Sequence, residues 1–294
     1  MSLKDEYLPL FRKSAQRASD YTFINIWGWS EERGYELAFQ DGLCWLRLNG
    51  PFSAPFAEPV MWAPVGDWER PDWEEVLIRT FPSGATFERV PEKLAEIWRA
   101  ELGKRVTLSE ARSEWEYLYS YEKMVSLSGN KMHKKKNLLT QFMKLYKYEY
   151  SDMDIDHLQS ILAAQDAWLK RRADADSRGL VSENIAISRV LGQWESLSGV
   201  LGGFISVEGQ IIAYTVAEDL GDGTVVIHFE KGMETYKGVY QAINQMFLSH
   251  LIVPFTTVNR EQDMGSDGVR QAKESYNPTG HIKKYCVRWA GEGA

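Results

Sequence analysis

The stretch VLGGFISVEGQIIAYTVAEDLGDGTVVIHFE, residues 200–230, carries the strongest structural signal in this 294-residue chain. Its apolar residues follow the period-two pattern of β-strands that bury one face. Two turn signals, Glu208-Gly209 and Gly221-Asp222-Gly223, divide it into three segments. Because such short turns join neighbouring antiparallel strands, the stretch predicts a three-strand meander with strands at 200–207, 211–217 and 225–230.

Helical and strand patterns continue on both sides of the meander. Before it, Asp154 is a predicted N-cap for a helix with apolar residues at helical spacing, and a second helix follows at 182–194. After it come, in order, a helix from about Val239, a strand at 256–259, a helix at 268–276 and a final strand at 281–289.

The first part of the chain predicts a second mixture of helices and strands. Strands at 35–40 and 43–48 flank Asp41-Gly42, a strong hairpin signal. Further strands are predicted at 59–63, 86–90 and 114–119, and helices at 71–81 and 91–102. A bend at 128–130 separates a short helix, 121–127, from a basic one, 131–146. We therefore expect an α/β chain with mixed sheets and two domains, 1–128 and 129–294.

The composition and motifs of the chain argue against several classes of protein. The formal net charge of -7 argues against a broadly basic nucleic-acid-coating surface. No apolar run is long enough to span a bilayer and no signal peptide is evident, so a cytoplasmic protein without a transmembrane segment is expected. The two cysteines, Cys44 and Cys286, lack metal-ligand spacing. Hydrolase, metalloprotease, dinucleotide and P-loop motifs are also missing.

The order helix, helix, meander, helix, strand, helix, strand resembles the GNAT acyltransferase fold, in which a splayed pair of strands opens a cleft for the acyl carrier. Three strings sharpen the resemblance: NKMHKKKNLLTQF at 130–142, HFEKGMETYKGVYQAINQMF at 228–247 and NREQDMGSDGVRQAKESYNP at 259–278. They resemble a bacterial family of unknown function related to the C-terminal domain of phosphatidylglycerol lysyltransferase. Over nearly the whole chain, this resemblance implies two tandem GNAT-like domains.

The resemblance implies a transferase that moves an acyl or aminoacyl group from a carrier, either aminoacyl-tRNA or acyl-coenzyme A, to an amine or hydroxyl. Such a reaction depends mainly on positioning and proton removal, so no metal and no tightly bound cofactor is expected. The alternative hypothesis is a non-catalytic module that binds a small anionic metabolite or a protein partner.

Gly238 begins a helix directly after a predicted strand and loop, where free N–H groups hold anions. Lys231 and Lys237 would add positive charge, so these three residues are candidate cofactor contacts. The coenzyme A turn of acetyltransferases reads Gln/Arg-x-x-Gly-x-Gly/Ala, and residues 235–240 keep only its central glycine. Gly238 as a packing residue is the rival explanation.

Four side chains are candidate catalytic groups. Glu230 ends an apolar strand beside the expected cleft, where it would accept a proton from an attacking amine. Glu261 and Asp263 lie in the polar stretch after the next strand. Tyr276 lies on the following helix as a candidate proton donor. Ion pairs, turns and helix caps are the structural alternatives for these residues.

Cationic residues supply candidate anion contacts. Arg270 and Lys273 are three positions apart and share a helix face. An internal ion pair between either residue and the acids named above is the rival explanation. The densest basic cluster of the chain is a candidate patch for tRNA or an anionic headgroup, which leaves peripheral membrane contact open. A solvated helix face is the alternative for this cluster, which comprises Lys131, His133, Lys134, Lys135 and Lys136.

Overall fold

The structure is a computed structural model that describes residues 1–49, 60–172 and 177–293. The chain divides into two compact units. Unit 1 consists of Met1–Glu116, Gln262–Gly265 and Ile282–Ala294, and unit 2 of Tyr117–Glu261 and Ser266–His281. Each unit is built on one mixed sheet flanked by helices.

The first part of the chain alternates between helices and strands. In chain order these are α1 (Lys4–Lys13), α2 (Phe23–Gly28), α3 (Ser30–Arg33), β1 (Tyr35–Gln40), β2 (Leu43–Leu48), β3 (Val60–Gly66), α4 (Trp73–Thr80), β4 (Ala85–Pro91), α5 (Glu92–Leu102) and β5 (Val106–Glu110). The predicted hairpin at Asp41-Gly42 is confirmed, with Tyr35 opposite Leu48 and Gln40 opposite Leu43. Pro59, the predicted start of the third strand, lies outside the described residues.

The rest of the chain continues the alternation, with the meander at its centre. The elements are β6 (Glu116–Ser120), α6 (Tyr121–Ser126), α7 (His133–Leu145), β7 (Tyr148–Asp152), α8 (Leu158–Lys170), α9 (Arg178–Leu191), β8 (Val200–Val207), β9 (Gln210–Asp219), β10 (Thr224–Gly232), α10 (Val239–His250), β11 (Thr257–Asn259), α11 (Asp267–Glu274), β12 (Gly280–Ile282) and β13 (Lys284–Trp289). The predicted meander β8–β9–β10 is confirmed as antiparallel, and β10 and β11 run parallel.

The final strand predicted at 281–289 is wrong as a single element. It is two strands in two sheets: β12 lies beside β6 in the order β12-β6-β11-β10-β9-β8-β7, and β13 lies between β4 and β5 in the order β1-β2-β3-β4-β13-β5. Periodicity does not show which sheet a strand joins. The predicted domain boundary at 128/129 lies after β6 and α6, both of which pack in unit 2.

The core of unit 1 is rich in tryptophan, because Trp68, Trp73, Trp98 and Trp289 are almost completely buried. In the core of unit 2, α10 packs against the meander, and α6 and α7 pack against α10. Its buried side chains include Phe142, Ile205, Val225, Ile243 and Phe247.

Unit 1 also buries a network of charges. Lys284 Nζ, from β13, pairs with Asp20 and lies 2.6 Å from Glu116 Oε1, while Arg89 pairs with the same Asp20. Burial would raise the pKa of Asp20, but Lys284 and Arg89 outweigh it and lower that pKa to about 2. Since buried charges are tolerated only when paired, β13 completes the interior of this unit.

Candidate functional site

The sheet of unit 2 opens at the end of β11. β10 and β11 pair only over Thr224–Val226 and Thr257–Asn259, and β10 then continues to Gly232. The register of β10 against β9 also shifts between Ile227 and Phe229, so His228 occupies a β-bulge. The side chains around this strand gap come from β10, α7, α10, α11 and the residues after β11. Tyr276, which was predicted to lie on a helix, follows α11 and is two residues beyond its end at Glu274.

A buried ion pair crosses the strand gap. Arg260, the residue after β11, donates to Glu230 Oε1 of β10 at 2.8 Å, and both side chains are at most 15% exposed. Asn244 of α10 donates to the other carboxylate oxygen at 2.9 Å. Burial alone would lower the pKa of Arg260, but Glu230 holds it above its usual value. The carboxylate of Glu230 is therefore fixed in position.

Tyr276 lies beside this ion pair and is covered by two cations. The Arg260 guanidinium carbon is 4.9 Å and Lys135 Nζ 4.3 Å from the centre of its ring. Gln241 Nε2 donates to the Tyr276 hydroxyl at 3.3 Å. Burial raises the pKa of Tyr276, so the phenol keeps its proton at neutral pH. Burial and the charge of Arg260 lower the pKa of Lys135.

His228 bridges two carboxylates at the point where β10 and β11 separate. Its Nδ1 is 2.9 Å from Glu261 Oε1 and its Nε2 is 3.0 Å from Glu218 Oε2 on β9. The imidazole is fully buried. Burial lowers the pKa of His228, but the hydrogen bonds and charges of the two carboxylates raise it to about 9. At neutral pH the ring is an imidazolium that holds Glu261 beside β10.

The sheet of unit 1 has a similar strand gap, and Tyr21 closes it. Among the described residues, β3 and β4 pair in parallel from Val60↔Thr86 to Trp62↔Glu88. Beyond that point the Tyr21 hydroxyl donates to the Arg89 carbonyl and accepts from the Ala63 N–H, both at 3.0 Å. Tyr21 is 3% exposed. The buried Tyr21 hydroxyl therefore bridges the backbones of β3 and β4 where they separate.

Three residues were predicted to bind an anion near the start of α10, and each contacts another part of the protein. They are Lys231, Lys237 and Gly238. A Cβ atom on Gly238 would lie 2.4 Å from the Leu138 carbonyl oxygen of α7, so that helix occupies the space beside Gly238. The Lys237 N–H donates to the Tyr146 hydroxyl at 3.0 Å. Lys231 points to Glu183 of α9 at 2.6 Å and lies 4.4 Å from the Trp168 ring centre.

Three further predicted site residues, Lys273, Arg270 and Asp263, lie in different places. Lys273 Nζ donates to the Arg260 carbonyl at 2.6 Å, which places it next to the strand gap. Arg270 is half-buried on α11. Asp263 belongs to unit 1, where it lies 3.3 Å from Arg112 and accepts from the Gly265 N–H at 2.8 Å.

The basic cluster on α7 is divided by its contacts. Lys131 donates to Asn277 Oδ1 at 2.7 Å, and His133 lies 3.5 Å from Asn137. Lys134 and Lys136 are exposed, whereas Lys135 covers the Tyr276 ring. The structure therefore brings Glu230, Lys273, Tyr276 and Lys135 to one place.

Sequence reasoning missed five residues of the site. Arg260 lies in the polar stretch that follows β11, so its charge was a usable signal. The other four lie inside strands or helices with no local sign of function, and they are Glu218, His228, Gln241 and Asn244.

Within residues 1–49, 60–172 and 177–293, no group of three or more His, Cys, Asp or Glu side chains is arranged to hold a metal ion. Among the same residues, no helix has the length and apolar character needed to cross a membrane.

The model of the family described as phosphatidylglycerol lysyltransferase, C-terminal, matches residues 11–288. Because this match covers most of the chain, the chain belongs to that family. An uncharacterized protein of Mycoplasmoides gallisepticum is 27% identical over 183 residues, which cover 60% of this chain and 56% of that protein. The chain thus spans about half the length of this curated relative.

Solved structures share the fold. A conserved protein of unknown function from Bacteroides thetaiotaomicron has a TM-score of 0.88 and 26% identity over 98% of this chain and 97% of that one. L-PGS from Bacillus licheniformis has a TM-score of 0.61 and 13% identity, with 90% and 86% covered. FemX has a TM-score of 0.60 and 8% identity, with 96% and 95% covered. The predicted tandem GNAT-like α/β fold is confirmed.

Proposed function

We propose that this member of the phosphatidylglycerol lysyltransferase C-terminal family transfers an acyl or aminoacyl group from a carrier to an amine or hydroxyl. The observation that carries the proposal is the strand gap between β10 and β11, which contains Glu230, Arg260 and Tyr276. A fixed carboxylate, a protonated phenol and cations in one partly desolvated place are the groups that acyl transfer needs.

Each group has a role in the proposed reaction. The acceptor nitrogen or oxygen attacks the carbonyl carbon of the carrier ester or thioester and loses its proton to Glu230. The bond from that carbon to the leaving oxygen or sulfur then breaks, and the leaving atom takes a proton from Tyr276. Arg260 supports the negative charge that develops during this step. Glu261, held by His228, binds the ammonium of an aminoacyl group or of an amine acceptor.

The carrier that fits these contacts better is aminoacyl-tRNA. An acyl-coenzyme A bound in the manner of acetyltransferases would place its diphosphate at the start of α10, where Leu138 packs against Gly238. The proposal places the reaction in the cytoplasm, where tRNA is aminoacylated. It needs no tightly bound cofactor.

The test is discharge of the carrier. Total tRNA charged with labelled amino acids, and separately acetyl-coenzyme A, is incubated with the protein and a small-molecule extract that supplies acceptors. We expect label to leave tRNA with the wild type, and Glu230→Gln to lower the rate about 100-fold. Glu183→Gln is the matched control, because it removes an ion-paired carboxylate whose partner is Lys231 rather than Arg260.

Melting temperatures show whether both variants fold. Release of the coenzyme A thiol in place of tRNA discharge would identify the other carrier. If neither carrier is discharged and neither raises the melting temperature, the transferase proposal fails.

The second candidate is a binding module without turnover. It is favoured by the Glu230 carboxylate, which already accepts hydrogen bonds from Arg260 and Asn244. In that case Glu230→Gln keeps the affinity for any stabilising ligand within a few fold, and the wild type discharges no carrier.

A further inference from the structure

We infer that Lys135, Arg260 and Tyr276 form a subsite for a phosphate-ester group. The inference rests on the proposed function, since the phosphate ester would belong to the carrier or the acceptor of that reaction. Its test is independent of that function, because binding is measured without turnover.

Lys135 differs from the lysines beside it. Lys134 and Lys136 are exposed, whereas Lys135 is half-buried with its Nζ 4.3 Å from the centre of the Tyr276 ring. Throughout the part of the chain that the structure describes, the Lys135 ammonium has neither a hydrogen bond nor an ion pair with a carboxylate. A half-buried ammonium whose three donors are not used by the protein is available to an anion.

The charges around Tyr276 are not balanced. Arg260 and Lys135 both cover its ring, at 4.9 and 4.3 Å, and among the described carboxylates only Glu230 is paired with Arg260, at 2.8 Å. The cations repel each other, since Arg260 contributes to the lowered pKa of Lys135. An anion between them would remove that repulsion.

The donor geometry suits a phosphate ester. The Lys135 ammonium offers up to three donors to the phosphate oxygens, and the Arg260 guanidinium, which already donates to Glu230 and bonds to Tyr276, adds positive charge beside it. The Tyr276 ring contacts both cations, while its hydroxyl proton remains for the leaving atom of the proposed reaction. Tetrahedral phosphate can use donors from three directions, whereas a planar carboxylate offers two oxygens in one plane.

Binding is measured by calorimetry at constant ionic strength with three phosphate probes, and with acetate as the carboxylate control. The three probes are inorganic phosphate, adenosine 5′-monophosphate for a nucleotide carrier and glycerophosphoglycerol for a lipid headgroup. We expect Lys135→Gln to weaken the probe that binds best about 10-fold, the loss of one charge-assisted hydrogen bond. Lys134→Gln, the same charge change one residue away, is expected to weaken it less than about 2-fold.

Tightest binding of adenosine 5′-monophosphate identifies a nucleotide carrier, and tightest binding of glycerophosphoglycerol a lipid headgroup. Tightest binding of inorganic phosphate supports the subsite without identifying the source of its ligand. Equal weakening by the two variants would mean that the cluster on α7 acts only through its total charge, and the subsite would be rejected. Full affinity in Lys135→Gln, acetate binding as tightly as phosphate, or no binding by any probe would also reject it. If a phosphate probe binds but the wild type discharges no carrier, the proposed function is overturned and the subsite is not.

Discussion

His228 shows how one side chain can hold the edge of a site that it does not enter. Its ring is buried in the β-bulge of β10, with Glu218 of β9 on one nitrogen and Glu261 on the other. Glu261 has a positive φ of 55°, a strained backbone for a non-glycine residue. The bridge from His228 helps to maintain that conformation, and Arg260 precedes it directly.

This arrangement predicts a specific dependence on pH. The pKa of His228 is raised from 6.5 to about 9, so its contribution to stability is fully present below pH 6.5 and disappears as the pH rises through about 9. We expect the free energy of unfolding to be higher for the wild type than for His228→Gln at pH 6. This difference should be smaller at pH 10 by roughly 3 kcal/mol. Urea unfolding across this range measures the difference.

His133→Gln provides the comparison for this experiment, since it removes an exposed imidazole from α7. An equal pH dependence for the two variants would show that the His228 bridge does not stabilise the fold. An NMR titration checks the same point, because the chain has only five histidines and His228→Gln identifies its resonance.

At the scale of elements, the contact between α7 and α10 decides what Gly238 does. The residue has φ of +85°, and an added Cβ would lie 2.4 Å from the Leu138 carbonyl oxygen and 3.2 Å from Phe142 Cβ. We expect Gly238→Ala to lower the free energy of unfolding by roughly 3 kcal/mol, from the left-handed backbone and the steric overlap together. Urea unfolding at pH 7 tests this value.

Gly209 separates the two causes, because it has φ of +78° and no atom lies within 4 Å of the place that an added Cβ would take. Gly209→Ala is expected to cost roughly 1 kcal/mol, the backbone contribution alone. If the two variants lose the same stability, α7 does not constrain Gly238, and the role of that glycine in anion binding becomes the better explanation.

Local patterns in the sequence located most elements but not their partners. The hairpin β1–β2 and the meander β8–β10 follow from alternation and turn residues, which act over a few positions. β5 was not predicted, since of its five residues only Val106 is buried. The pair Glu230–Arg260 joins residues 30 positions apart, and periodicity holds no information about such pairing.

At the scale of the whole molecule, strands that are neighbours in a sheet are often far apart along the chain. β13 pairs with β4 on one side and β5 on the other, although the whole of unit 2 lies between β5 and β13 in sequence. In the same way β6 pairs with β11, which follows it by more than a hundred residues. Neither unit is therefore encoded by one continuous segment.

This topology predicts the result of a truncation. Residues 1–281 lack β13, so β4 and β5 lose their shared neighbour, and Asp20 and Glu116 lose the Lys284 ammonium. Leaving buried carboxylates without that cation costs roughly 3–5 kcal/mol in addition to the lost strand pairing. We expect the amides of β3 and β4 to lose protection from hydrogen exchange, while those of β9 and β10 keep theirs.

A synthetic peptide of residues 282–294 should restore protection from hydrogen exchange in β3 and β4 when it is added to the truncated chain. It supplies β13, which pairs with β4 and β5, and it supplies Lys284. The same peptide with Lys284→Met is the matched control: it can form the strand pairs but cannot neutralise Asp20 and Glu116, so it should bind more weakly. Undiminished protection of β4 in residues 1–281 without peptide would show that unit 1 folds without its C-terminal strand. It would also mean that the buried charges around Asp20 find another arrangement.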